Sequence, residues 1–265
     1  MKKKIKIILA LTLIFTTLTG FKAGAKVDYV AIGDSLTAGD GNKENDRFAS
    51  AFTELMNEKY DIKIKQHNYG VSGNTSEQIL QRLTDNTNGI NDDIKNAQII
   101  SITVGGNDIK NCVMEKIVTN LNLDQAEFYP AIETYEKTVT KIIKAIRKQN
   151  KKAQIYVMGI YNPFYNTFPR DRDLFDLVIN RYNDAIKRVI EKDKKVTYVQ
   201  TSDLIKYPKI DFDSASDLSD EPQDSGDPLS TYDYFHPNAK SHKLWAKALA
   251  KAVTQDNNFP ARKKK

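Results

Sequence analysis

One cysteine, Cys112, and three histidines are all that this 265-residue chain offers to thiolate or imidazole chemistry. A lone cysteine excludes an intramolecular disulfide, a cysteine-based zinc cluster and lipid attachment behind an export leader. Three histidines without a His-Glu-x-x-His run leave a catalytic zinc without its ligands, so no metal and no cofactor are expected. Long apolar runs are missing too. Residues 7–18 are interrupted by Thr12, Thr16 and Thr17, and they fall short of the ~20 apolar residues that a membrane span needs.

A charged face is the last absence. The net charge of +6 is concentrated at the two ends of the chain. Residues 1–25 hold five lysines and no acid, residues 262–265 add four positive charges, and between them 31 basic residues meet 34 acidic ones. Nucleic-acid binding therefore loses its electrostatic argument. The basic tail, residues 256–265, reads as a solvated terminus able to make transient contact with an anionic cell surface.

What is present begins with an export signal. Lys2, Lys3, Lys4 and Lys6 precede the apolar run, and Ala23-Gly24-Ala25 has the small-x-small form of a cleavage site. Residues 1–25 read as a signal peptide, which makes the protein secreted or cell-surface; an uncleaved N-terminal anchor is the alternative. Residues 26–255 are long enough to bury a core unaided by disulfides.

Apolar runs alternate with helical patterns in that region, the mark of parallel strands joined by crossover helices. Strands are predicted over residues 27–32, 63–69, 98–104, 154–160 and 196–200. Between and after them, Phe48, Phe52, Leu55 and Met56 share a helical face. So do Ile132, Tyr135, Val139, Ile142, Ile143 and Ile146; Val178, Tyr182, Ala185, Ile186 and Val189; and Trp245, Leu249, Ala252 and Val253. Pro237 is placed to open the last helix at its first turn. Residues 161–168, with Tyr161, Phe164, Tyr165 and Phe168, form a loop that either lines a pocket or anchors itself by aromatic packing. Residues 211–227 are acidic but lack the residue order of a calcium loop, and read as a solvated segment.

Four polar motifs follow these strands. Gly33-Asp34-Ser35-Leu36 follows the first, Ser72-Gly73-Asn74-Thr75 the second, Gly105-Gly106-Asn107-Asp108 the third, and Asp233-Tyr234-Phe235-His236-Pro237 comes after the fifth. In an open parallel sheet the carboxyl ends of the strands face one crevice, so motifs scattered over 200 residues converge. A serine, an aspartate and a histidine in that crevice suit nucleophilic catalysis, because a serine hydroxyl needs a base to take its proton.

Together these blocks, with Asn68-x-Gly70 before Ser72, resemble those of the SGNH, or GDSL-type, esterases and lipases, over roughly residues 27–253. The resemblance implies an α/β fold: a three-layer α/β/α sandwich with a five-stranded parallel sheet of flavodoxin-like order. It also implies Ser35 as nucleophile, Asp233 and His236 as the rest of a triad, and an oxyanion hole made by Ser35, Gly73 and Asn107. Gly73 can present its amide without a side chain in the way, and Thr75 with Gln78 has the spacing of a capping box. Ser72 reads as a turn residue, His67 and His242 as structural histidines, and Asp34 and Asp108 as turn acids bonded to backbone.

The expected activity is hydrolysis of carboxylic esters through an acyl-serine. The aromatic loop favours small-molecule or lipid-like esters; an extracellular glycan O-acetylesterase is the competitor, and a non-catalytic glycan- or lipid-binding module is the reading from a different class.

Overall fold

The computed structural model describes residues 24–40, 47–119, 124–165, 167–168, 170–205 and 235–256. Residues 1–23 of the leader, the acidic segment, Asp233 and the basic end of the tail lie outside the described residues. In chain order the elements are β1 (Ala25–Gly33), α1 (Ser35–Ala38), α2 (Phe48–Lys59), β2 (Ile62–Gly70), α3 (Ser76–Thr84), α4 (Ile90–Asn96), β3 (Ile99–Thr103) and α5 (Gly106–Thr119). They continue with α6 (Tyr129–Gln149), β4 (Gln154–Met158), α7 (Arg172–Ile190), β5 (Val196–Val199) and α8 (Ala239–Gln255).

All strands are parallel, in the order β2-β1-β3-β4-β5, the flavodoxin-like order the resemblance implies. Side chains alternate across the sheet because successive residues of a strand point to opposite faces. Val30, Ile32, Ile100, Ile102, Ile155 and Val157 enter one core, covered by α3, α4, α6 and α7. Val27, Tyr29, Ala31, Tyr156 and Met158 enter the other, covered by α2 and α8. Both faces being buried explains why β1, β3 and β4 read as nearly continuous apolar runs, whereas the edge strand β2 is polar and only partly buried. Connections from β1 lead to β2 on one side and, through β2, to β3 on the other. That reversal opens a crevice at the carboxyl ends of β1 and β3.

The strand ends shift by one or two residues from those predicted, and two boundaries have an identifiable cause. The fourth strand stops at Met158, short of Ile160, because Asn183 takes over the backbone of Ile160: its Oδ1 accepts from the Ile160 N–H at 2.8 Å and its Nδ2 donates to the Ile160 carbonyl at 2.8 Å. Helix α8 opens after Pro237, not on it. Asn238 is the cap, its Oδ1 accepting from the Ser241 N–H at 3.0 Å, which satisfies an otherwise unpaired first-turn amide.

Candidate active site

Ser35 is the first residue of α1, directly behind β1, and only 5% exposed. Asp34 shapes the turn: its Oδ1 accepts from the Leu36 N–H at 3.0 Å and from the Thr103 hydroxyl at 2.8 Å. The Thr103 hydroxyl is also paired with that of Thr37 at 2.7 Å, which ties α1 to the end of β3. Gly39 closes the turn at φ 84°, in the left-handed region that glycine enters without penalty. Burial pushes the Asp34 carboxyl up to about 6 against the hydrogen bonds it accepts, and the charge of Asp108 adds to the effect.

His236 brings Nε2 to 2.8 Å from Ser35 Oγ, across 201 positions of sequence. Its loop is held on both sides. The Tyr161 hydroxyl donates to the Phe235 carbonyl at 2.6 Å, the Phe164 ring packs edge-on against Phe235, and the Asn238 cap of α8 follows directly. With Nε2 on the serine, Nδ1 is the nitrogen that an orienting carboxylate would engage. Asp233, assigned that role from the sequence, lies outside the described residues.

The two remaining candidates sit at the ends of the strands flanking β1. The Val71 N–H donates to the Gly33 carbonyl at 3.0 Å, which carries the loop behind β2 over the end of β1. In that loop Gly73 has φ +78°, and the space where a side chain would stand is open. Asn107 lies in the first turn of α5, 5% exposed, and its Nδ2 donates to the Asn74 carbonyl at 3.0 Å. Gly105, at φ +110°, turns the chain from β3 into α5; a side chain there would run into Ile160 and Tyr135. Ser35, Gly73, Asn107 and His236 thus gather at one end of the sheet, and Asn107 gives one of its two amide hydrogens to Asn74.

The supporting residues partly match expectation. Thr75 and Gln78 form the capping box of α3. Asp34 bonds to its own turn through Leu36 and to Thr103 on β3, and Asp108 reaches across to Ser76, accepting from its N–H at 2.9 Å and its hydroxyl at 2.5 Å; burial pushes this carboxyl up as well. Ser72 donates to Asp40 in an exposed turn. His67 lies mid-strand with Nδ1 2.7 Å from Asp93, and buried His242 accepts from the Phe48 N–H at 3.1 Å, so each has a structural place. Tyr161 and Phe164 turn inward, 3% and 4% exposed, and realise the packing alternative for their loop. The Tyr161–Phe235 clamp and the Thr37–Thr103 pair were missed from the sequence, since neither tyrosine nor threonine carries a local signal for such partners.

A groove of about 870 Å³ runs between β5 and α8 and shares no residue with the Ser35–His236 pair. Chemistry, not size, marks the candidate site. Among known proteins, the model of the GDSL-like lipase/acylhydrolase family matches residues 31–244. The chain is 30% identical over 227 residues to the uncharacterized protein YpmR of Bacillus subtilis (strain 168), covering 85% of this chain and 81% of that one. The fold resembles the lipase Lip_vut3 from a goat rumen metagenome, with TM-score 0.68, 21% identity, and 87% and 99% of the two chains covered. It also resembles a catalytic mutant of Axe2, an acetylxylan esterase from Geobacillus stearothermophilus, with TM-score 0.59, 18% identity, and 87% and 95% covered.

Proposed function

The chain belongs to the GDSL-like lipase/acylhydrolase family, and from that premise we propose that it is a serine esterase that cleaves carboxylic esters through an acyl-enzyme on Ser35. The observation that carries the reading is the 2.8 Å contact between Ser35 Oγ and His236 Nε2. His236 takes the serine proton as Oγ attacks the ester carbonyl, and Asp233 fixes the imidazole tautomer and stabilises the imidazolium. The N–H groups of Ser35 and Gly73 and the Asn107 amide hold the oxyanion of the tetrahedral intermediate. His236 then returns the proton to the leaving alcohol. Water, activated by the same imidazole, releases the acid and restores Ser35.

Two substrate readings compete, lipid-like acyl chains and short acyl groups carried on a glycan. The inward packing of Tyr161 and Phe164 favours the second, since these were the rings expected to receive an apolar chain. Export completes the proposal: cleavage after Ala25 would leave residues 26–33 of β1 in the mature chain.

Labelling with a fluorophosphonate tests the mechanism. The mature protein is expected to take the probe on Ser35, and Ser35→Ala and His236→Ala to lose it while remaining folded. Folded protein that takes no probe would overturn the reading in favour of a binding module without turnover.

A further inference from the structure

Beyond the serine, the carboxyl ends of β4 and β5 frame a second concavity of about 370 Å³. Its polar lining comes from Asn162 and Tyr165 behind β4, Asp176 and Asn180 on α7, and Ser202 and Asp203 behind β5. Ile179 and Ile205 supply apolar wall. The volume suits a small ligand.

The lining selects the ligand's chemistry. Two carboxylates and no cationic side chain repel a phosphate, a sulfate or a fatty-acid carboxylate. Carboxylates accept hydrogen bonds and the Asn180 amide both accepts and donates, while Asn162 and Ser202 are engaged within the protein, so a neutral molecule rich in hydroxyl groups suits the acceptors and the amide of the lining. The two isoleucines and the tyrosine ring offer apolar surface to the C–H face of a sugar. Part of the array is already set: Asn162 Nδ2 donates to Asp176 Oδ1 at 2.7 Å, and Asn162 Oδ1 accepts from the Phe164 N–H at 2.9 Å.

Its position links this cavity to the serine. The loop behind β4 uses alternate residues for two purposes: Tyr161 and Phe164 hold Phe235, next to His236, while Asn162 and Tyr165 face the cavity. One loop therefore separates the cavity from the imidazole, and both lie at the same end of the sheet as Ser35.

We propose that this cavity is a subsite for the saccharide portion of the ester substrate, positioned so that an acyl group on a neighbouring sugar reaches Ser35. It rests on Ser35 and His236 being the ester-cleaving pair, and it makes the enzyme a deacylase of hydroxyl-rich glycans. The subsite acts on binding, so its loss raises KM for a glycan ester and leaves a substrate lacking the glycan alone.

The test compares 4-nitrophenyl acetate with an acetylated oligosaccharide of xylose, using the mature chain and its Asn180→Ala and Asp203→Ala variants. Both residues are exposed, so the variants are expected to melt within a few degrees of the parent. The expected result is a KM for the oligosaccharide raised about tenfold, the change that a lost ~1.4 kcal/mol of binding produces, with kcat/KM on nitrophenyl acetate altered less than twofold. Equal kinetics of parent and variants on the oligosaccharide, or equal losses on both substrates, would overturn the subsite. A parent that cleaves nitrophenyl acetate but not the oligosaccharide would also overturn it and leave the esterase reading standing. A parent that cleaves neither would remove the esterase reading itself.

Discussion

Ser35 Oγ and His236 Nε2 lie 2.8 Å apart, and the pair is held from both ends by side chains outside the proposed chemistry. On the serine side, Asp34 pins the turn through Leu36 and Thr103. On the histidine side, Tyr161 pins the carbonyl of Phe235. A reactive pair needs this kind of support, because displacement by about 1 Å can cost ~10²-fold in rate.

Tyr161→Phe tests the histidine-side support. The ring stays buried and the hydroxyl that donates to Phe235 is lost, a cost of ~1 kcal/mol in stability. We expect kcat for an activated ester to fall several-fold with KM nearly unchanged, since the loop of His236 loosens without any loss of substrate contact. Stopped-flow measurement of acylation checks it; unchanged acylation with a lowered melting temperature would make Tyr161 purely structural.

Asn107→Ala removes a proposed oxyanion donor. A fall of about 10²- to 10³-fold in kcat is expected, with a much smaller change in KM, because the interaction forms only when the carbonyl becomes tetrahedral. The lost bond to the Asn74 carbonyl is a separate effect. Circular dichroism and thermal melting separate it from catalysis.

Asp34→Asn predicts a pH signature in stability. Burial holds the Asp34 carboxyl at about 6 against an ordinary 3.8, so the folded protein binds this proton more tightly than the unfolded chain does. Its stabilising contribution is complete below the ordinary value and is lost as pH rises through about 6. Asparagine keeps an acceptor for Leu36 and Thr103 and never ionises. The variant should therefore gain stability relative to the parent between pH ~4 and ~7, by an amount on the order of 3 kcal/mol, and level off above. Denaturant melts at half-unit pH steps measure the difference; a difference that stays flat with pH would refute the assignment. Asp108, also pushed up by burial, is present in both proteins, so its own burial drops out of the comparison, while its repulsion with Asp34 is part of what the variant removes.

Gly70→Ala should fail for steric reasons alone. A methyl group at Gly70 would fall on the backbone of Thr37 and Ala38, in the turn that carries the serine. Backbone atoms cannot rotate aside as a flexible side chain can, so a loss of at least ~1–3 kcal/mol is expected. Gly73→Ala forms the contrast: no atom blocks it, and its penalty arises from φ +78°, ~1–2 kcal/mol for a side chain in the left-handed region. Melting of the two variants side by side distinguishes overpacking from backbone strain.

The elements themselves were largely legible. Both sheet faces are covered over the inner strands, so β1, β3 and β4 show as apolar runs, and α6 shows as a 3.6-residue stripe from Ile132 to Ile146. Errors fall where a side chain from elsewhere, or a better cap, overrides the local pattern. Asn183 ends β4, and Asn238 displaces Pro237 as the start of α8. The aromatic loop was ambiguous because Tyr161 and Phe164 would look the same in a pocket or in a core; only their partners Phe235 and Phe175 distinguish the cases.

The sequence by itself determined the periodicities, hence the layers, and the order of four polar motifs at strand ends, because both follow from residues close together in the chain. Tertiary structure alone decided that Ser35 meets His236, that Asp34 is buried beside Thr103 and Asp108, and that the far end of the sheet opens into a polar cavity. Those relationships join residues tens to hundreds of positions apart. They depend on register, burial and hydrogen-bond geometry that exist only once the strands have paired.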